Sequence, residues 1–289
     1  MNNFRHFLLA FQILCTAVDI HLTFFMQPIN LFPIMAGYCN GLLAMIFRVR
    51  PHILMTITAC IQLCQFISLF LCVISRHQVL ADLLFKHRIP YRWLIPLAAI
   101  VFPIFITTYY YIAFGRSKSY QLQYIHENYP EFEEKFKNLP NFEIYKFDGY
   151  FMIIVIVAIV ATVIGIILFI TLILDMMNLL IDLSKKMSTS NYQKQKSAVI
   201  SLWAQLAVSS VIFIPLLLFV VVFSTNYSKA QTFINFVIAV YCTHSTFNVI
   251  VLIATFPPYR QFVLLKVNME SEEAQYTQLF SGTGDGGVI

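Results

Sequence analysis

Charged side chains are scarce in this sequence. Asp, Glu, Lys and Arg make up 11% of its 289 residues, against roughly a quarter in ordinary globular domains. Apolar residues make up 59%, with 28 Phe and 15 Tyr. A soluble fold has too little interior to hide that much apolar surface, whereas a bilayer accepts it on the outside of the molecule. Catalytic signatures are also missing. No GxSxG, HExxH or P-loop occurs, so the chain is not read as an enzyme and no cofactor is indicated. No basic cluster interleaved with aromatics occurs either. The net charge of +5 sits in short stretches between apolar runs, which reads as loops and excludes a nucleic-acid partner.

Cysteine is placed where it can do little chemistry. Cys15, Cys60, Cys64, Cys72 and Cys242 lie inside apolar runs, where Cys behaves as a small buried hydrophobe. None lies in the hydrophilic stretch 115–149, so no loop-to-helix disulfide is expected. Cys60 and Cys64 share a helical face, but no His or Cys partners complete a metal set. The first apolar run is too long, and too polar in its middle, for a cleaved signal peptide.

What is abundant is long apolar stretches. A transmembrane helix needs about 20 mostly apolar residues. Six stretches qualify, at about 7–26, 53–74, 93–114, 150–174, 197–223 and 231–256. They are apolar on all sides, unlike the alternating strands of a barrel. The expected fold class is therefore an all-α membrane protein with six transmembrane helices, its membrane domain covering 1–263 and a tail covering 264–289. The two halves do not repeat in polar pattern or loop length, which counts against transporters built from repeated halves.

Loop charge sets the expected topology. Arg76, Lys86, Arg88 and Arg92 follow the second span, and Lys185, Lys186, Lys194 and Lys196 follow the fourth. By the positive-inside rule both loops face the cytoplasm, as do both termini. Arg48 and Arg50, after the first span, fall on the outer side and oppose this bias. The sequon Asn226-Tyr227-Ser228 falls in the outer loop after the fifth span, a possible glycosylation site at Asn226. Tyr259, Arg260, Phe262, Leu264, Leu265 and Lys266 suit a short amphipathic helix on the membrane lipid, and 281–289 reads as disordered.

An ionised group at mid-membrane costs about 2.5–3.5 kcal/mol on insertion scales. Gln12, Thr16, Asp19, Thr23 and Gln27 lie on one face of the first span at four-three-four-four spacing, and that face is expected to point into the bundle. Asp19 then belongs either to a ligand, ion or switch site or to interhelical hydrogen bonding. His21 lies nearly opposite and is no partner for it. A second stripe holds Thr58, Gln62 and Gln65, and a third holds Tyr241, His244, Ser245 and Asn248. His244 reads as a satisfied interior histidine, not a metal ligand. Asp19, His244 and Asn248 are the candidate intramembrane switch. Pro215, in the fifth span, is a kink or a flexing point. Gly37 and Gly41 form a GxxxG at a membrane edge, a weak sign of dimerisation.

Several motifs resemble those of nematode serpentine receptors of class I. The run Asp19-Ile-His-Leu-Thr-Phe-Phe-Met-Gln-Pro28, continuing through Leu31-Phe-Pro-Ile34 to Ala36-Gly-Tyr38, is similar to the family's second helix. Arg76-His77-Gln78 resembles its Lys-His-Gln after the third helix. Ile125-His-Glu-Asn-Tyr-Pro130, Leu139-Pro-Asn-Phe142 and Tyr145 resemble its long extracellular loop. Ser201-Leu202 with Ala204-Gln205 resembles the start of a later helix, and His244-Ser245, Asn248-Val-Ile250 and Pro257-Pro-Tyr-Arg260 the end of the last one. The matches run in order from about residue 3 to residue 263. Asn3-Phe4-Arg5 matches the stretch just after the family's first helix. The resemblance thus implies a G-protein-coupled-receptor-like bundle whose six spans are equivalent to helices two to seven, with the first helix absent.

The resemblance further implies a chemosensory G-protein-coupled receptor in the plasma membrane of sensory neurons, working in signal transduction and sensory perception. Its partners would be a small-molecule ligand of unknown identity and a heterotrimeric G protein. Arg76, His77, Lys185, Lys186, Lys194 and Lys196 are the candidate G-protein-facing residues, with ordinary positive-inside charge as the plainer reading. The alternatives are a six-span channel or transporter subunit, or an inactive truncated receptor.

Overall fold

The computed structural model describes residues 2–31, 34–85, 94–139, 141–146, 148–210, 230–255, 259–266 and 269. Lys86, Arg88, Arg92, Pro215, Asn226 and the segment 281–289 lie outside them.

The first helix, α1 (Asn2–Ile20), runs directly into a π-helical turn at His21–Met26. Its buried face is Phe4, Leu8, Phe11, Cys15, Val18, Leu22 and Met26, at the three- and four-residue spacing of one helical stripe. This corrects the expected inward polar face in part: the Gln12 amide is buried and Asp19 meets Ser245 of a later helix, but the other three members face outward. Thr16, Thr23 and Gln27 are exposed and satisfy themselves on the preceding turn. Thr16 donates to the Gln12 carbonyl (3.1 Å), Thr23 to that of Asp19 (2.6 Å) and Gln27 to that of Thr23 (2.9 Å). A hydroxyl or amide that can reach its own helix backbone has no need of a buried partner.

Gln27 takes a left-handed conformation (φ 44°) and ends the helix. The chain then forms a hairpin of β1 (Pro28–Leu31) and β2 (Ala36–Cys39), with Pro28 opposite Cys39 and Leu31 opposite Ala36. Gly37 therefore lies in a strand. Gly41 lies where its amide bonds the Met26 carbonyl at 3.0 Å, and a Cβ there would sit 2.4 Å from the Phe25 carbonyl. The GxxxG spacing thus forms no helix face, and Gly41 serves a close backbone contact within the chain.

After a single turn, α2 (Leu42–Met45), comes α3 (Pro51–Leu84), with Pro51 in its first turn. It continues well past the expected span, because 75–84 stays helical. α4 (Leu94–Phe114) follows. The hydrophilic stretch after it is folded. α5 (Lys118–Asn128), capped by Ser117, α6 (Glu133–Lys137) and β3 (Phe142–Ile144) close over Ile34, Ala36, Ile125, Phe136 and Phe142. β3 pairs antiparallel with β2, Tyr38 opposite Phe142, giving a three-stranded sheet in the order β1-β2-β3. The loops after the first and third expected spans thus share one end of the bundle.

α7 (Gly149–Ser184) starts on the Asp148 cap, whose Oδ1 accepts from the Phe151 amide at 2.9 Å. α8 (Thr189–Ser209), α9 (Ala230–Cys242), α10 (His244–Thr255) and a short helix α11 over 259–266 complete the described chain. α9 and α10 meet at Thr243, whose amide and hydroxyl both turn back to the Val240 carbonyl (3.1 and 2.7 Å). That tightened turn interrupts what the sequence presents as one span.

α3 is the central post, packed on α1, α4 and α7, while α8 packs on α10. The largest apolar cluster joins Phe11, Leu69, Val73, Phe169, Met176 and Val199, with Phe66 and Phe70 edge-on to Phe169 at 5.4 and 5.2 Å. Among the described residues four helices are long and apolar enough to cross a membrane: His6–Met26, Pro51–Leu84, Gly149–Ser184 and Gln231–Thr255. Val101–Phe114 is a shorter apolar helix, and the expected span 197–223 is described only to residue 210.

Candidate functional site: a polar seam and an end clamp

Midway along the bundle, α1, α3, α8 and α10 bring their polar residues together. The Ser245 hydroxyl donates to Asp19 Oδ2. His244 Nδ1 lies 3.8 Å from Asp19 Oδ1 and 2.8 Å from the Tyr241 carbonyl. Gln65 Nε2 lies 3.0 Å from His244 Nε2 and 3.1 Å from Cys15 Sγ. These contacts fix the tautomer. A carbonyl only accepts, so Nδ1 carries the proton; an amide NH2 only donates, so Nε2 accepts. His244 thus relays α3 to α10, stacked on Tyr241 at 5.1 Å. Asn248, fully buried, reaches Ser209 of α8 at 3.4 Å. Asp19 Oδ1, Gln65 Oε1, Gln205 Oε1 and the Tyr241 hydroxyl are buried with no hydrogen-bond partner in the protein. A seam with unspent acceptors is costly when static and can re-pair when helices shift.

Toward the far end of α3, Arg76 and His77 are both buried. The Gln78 amide donates to His77 Nδ1 (3.1 Å), so Nε2–H points at Asp175 Oδ2 of α7, 2.6 Å away. Arg76 donates to Gln195 Oε1 of α8 at 2.6 Å, and its guanidinium lies 5.6 Å from the Phe4 ring centroid. Three helices are therefore clamped to α3 within one turn. Lys185, Lys186, Lys194 and Lys196 sit around this end, all exposed.

The sheet end is tied by charge. Arg50 donates to Glu143 Oε1 (2.9 Å) and to the Arg116 carbonyl (2.6 Å), and Gln121 donates to the same carboxylate (2.6 Å). Burial pushes the Glu143 carboxyl up from its ordinary range, and Arg50 opposes that only in part. Arg50, which opposes the positive-inside bias, is thus occupied by a local partner.

A family model for serpentine-type seven-transmembrane GPCR chemoreceptors, Sri, matches residues 1–263. The chain belongs to this family. No curated protein and no solved structure matches it. The chain is accordingly an integral membrane protein of a G-protein-coupled chemoreceptor family, which is a family of receptors and not of enzymes. Within the receptor, the structure unites Asp19, His244 and Asn248 in the seam and separates them from Arg76 and His77, which belong to the clamp. Reading the sequence missed Gln195 and Asp175, the partners that bury those two residues. It also did not single out the buried stripe Ser201, Gln205 and Ser209 of α8 as part of a site, although Ser201 and Gln205 belong to the segment that carries the family resemblance.

Proposed function

We propose that this receptor detects a small molecule at the sheet end and signals to a heterotrimeric G protein at the clamp end. Its six spans, 7–26 through 231–256, would sit with the Lys185–Lys196 end in the cytoplasm and the sheet outside, in the plasma membrane of a sensory neuron. The observation that carries this reading is the clamp, because it holds together the ends of α3, α7 and α8 that a G protein would have to enter.

The mechanism is a population shift between a clamped and an open arrangement. In the clamped form His77 is held by Asp175 and Arg76 by Gln195. A ligand that favours rotation or tilt of α3 weakens both contacts at once. The seam communicates that motion, since Gln65 on α3 and Asp19 on α1 both engage α10. The exposed Lys185, Lys186, Lys194 and Lys196 would then attract an acidic Gα surface and speed encounter. α11 would lie against the lipid with Phe262, Leu264 and Leu265 buried in it.

The test is to change the four lysines to glutamine together and measure Gα nucleotide exchange at matched surface level. Coupling is expected to fall by roughly tenfold or more, with a weakened salt dependence. Unchanged coupling would remove this face as the docking site.

A further inference from the structure

Met45, Ile46 and Phe47 form the tip of the turn that leads from α2 into α3, and they are 55%, 66% and 66% exposed. Arg48 follows them and is exposed as well. We propose that this tip is a phospholipid anchor. Ile46 and Phe47 enter the border between headgroups and acyl chains, and the Arg48 guanidinium binds a lipid phosphate. The proposal goes beyond the receptor reading and needs only that the chain spans a membrane.

The tip is built on a held backbone. Its base is Ala44, fully buried, whose carbonyl accepts from Asn141 Nδ2 at 2.8 Å. The Met45 amide donates to the Gly41 carbonyl, the Ile46 amide to that of Leu42 and the Val49 amide to that of Leu43, each at 3.0 Å. Four consecutive side chains thus stand out from a fixed turn. A group already held in place loses little freedom when it is bound.

Depth follows from the neighbours. The Gly41 amide bonds the carbonyl of Met26, where one long apolar helix ends, and Pro51 begins the next. His52 Nε2 lies 3.1 Å from the Tyr111 carbonyl, which brings the end of α4 to the same level. Tyr109, Tyr111 and Tyr150 are exposed there, and the hydroxyls of Tyr109 and Tyr150 meet. Exposed tyrosines gather at the headgroup level of a bilayer. Three large apolar side chains in a row at that level gain by entering the lipid.

Charge names the group they enter beside. Arg50 is taken up by Glu143 and the Arg116 carbonyl. The Arg48 guanidinium makes no hydrogen bond or ion pair among the described residues. Its backbone is left-handed, with φ 51°, a conformation that Gly or Asn adopts at less cost. The backbone at this position favours glycine, yet the side chain present is the one whose planar fork matches a phosphate.

The experiment is fluorescence quenching of the full chain in lipid nanodiscs. Phe47→Trp is the reporter, made together with Trp93→Phe and Trp203→Phe, which remove the two natural tryptophans. The discs are of digalactosyl diacylglycerol, which carries no phosphate. They are doped either with phosphatidylglycerol brominated midway along its chains or with the galactolipid brominated in the same way. Half-maximal quenching is expected at a roughly fivefold lower mole fraction of the phospholipid, about the worth of one arginine at an anionic lipid surface. Arg48→Gly is expected to abolish that preference while melting no lower than the parent, because glycine suits the left-handed backbone. Arg48→Asn, which also tolerates that backbone, is expected to do the same. A reporter untouched by either brominated lipid would put the tip in water or against a protein. Equal quenching by the two lipids would remove the phosphate, and a preference that survives both substitutions would remove Arg48. Unfolding of both variants would make Arg48 a structural residue. Each of these results overturns the proposal. Neither a G protein nor a receptor ligand enters the measurement, so its failure is distinct from failure of the receptor reading.

Discussion

Gln65 and His244 face each other across the middle of the bundle, amide nitrogen to imidazole Nε2 at 3.0 Å, although they are far apart in sequence. The contact links the central post to the helix that also holds Asp19. Removing Gln65 leaves the buried His244 Nε2 without its partner. Gln65→Leu is therefore expected to destabilise the protein by about 1–3 kcal/mol, while replacing both partners with apolar residues is nearly neutral. A double-mutant cycle on melting in detergent, Gln65→Leu with His244→Phe, checks this. Simple additivity would show that the pair is not coupled.

Two glycines differ sharply in what surrounds them. A Cβ at Gly41 would meet the Phe25 carbonyl carbon and oxygen at 2.4 Å, whereas one at Gly149 would meet nothing within 4 Å. Backbone cannot move aside as a side-chain tip can. Gly41→Ala is expected to cost about 1–3 kcal/mol or prevent folding. Gly149→Ala, at the first residue of α7, is expected to be neutral or to gain about 0.4–1 kcal/mol by restricting the unfolded chain. Thermal melting of the two variants side by side separates these outcomes.

Glu143 gives the sheet end a definite pH dependence. Its folded pKa is raised, mainly by burial, above the ordinary value of 4.5. The folded state therefore holds the proton more tightly than the unfolded one. That stabilisation is fully present below the unfolded pKa and is lost as pH rises through the folded pKa. Amide exchange in the β2–β3 pair is expected to quicken as pH rises through this window, after correction for intrinsic exchange. Glu143→Gln is expected to flatten the dependence.

The parts of this arrangement that were legible in the sequence are those carried by periodicity. The third polar stripe, Tyr241, His244, Ser245 and Asn248, is buried as its spacing implied, because a polar face in a membrane helix has to find partners. The first stripe misled at Thr16, Thr23 and Gln27, because spacing cannot tell a side chain bonded to its own backbone from one that crosses to a neighbour. Arg76 and His77 read as loop residues because about 20 residues cross a bilayer, and α3 runs on beyond that length. The sheet was hidden for another reason. Tyr38 and Phe142 pair across a long sequence separation, and strands of three or four residues carry almost no pattern of their own.

The most direct test of the account is basal Gα nucleotide exchange by Asp175→Asn at matched surface level. His77 Nε2–H lies 2.6 Å from the Asp175 carboxylate, and the change to an amide weakens a charge-assisted bond that ties α7 to α3. Asp175 is 40% exposed, so the loss is discounted for screening. If the clamp holds the inactive form, exchange without any ligand rises roughly three- to tenfold. Exchange that stays at the wild-type level across a panel of Gα subunits, with the variant folded and at the surface, would contradict the central claim.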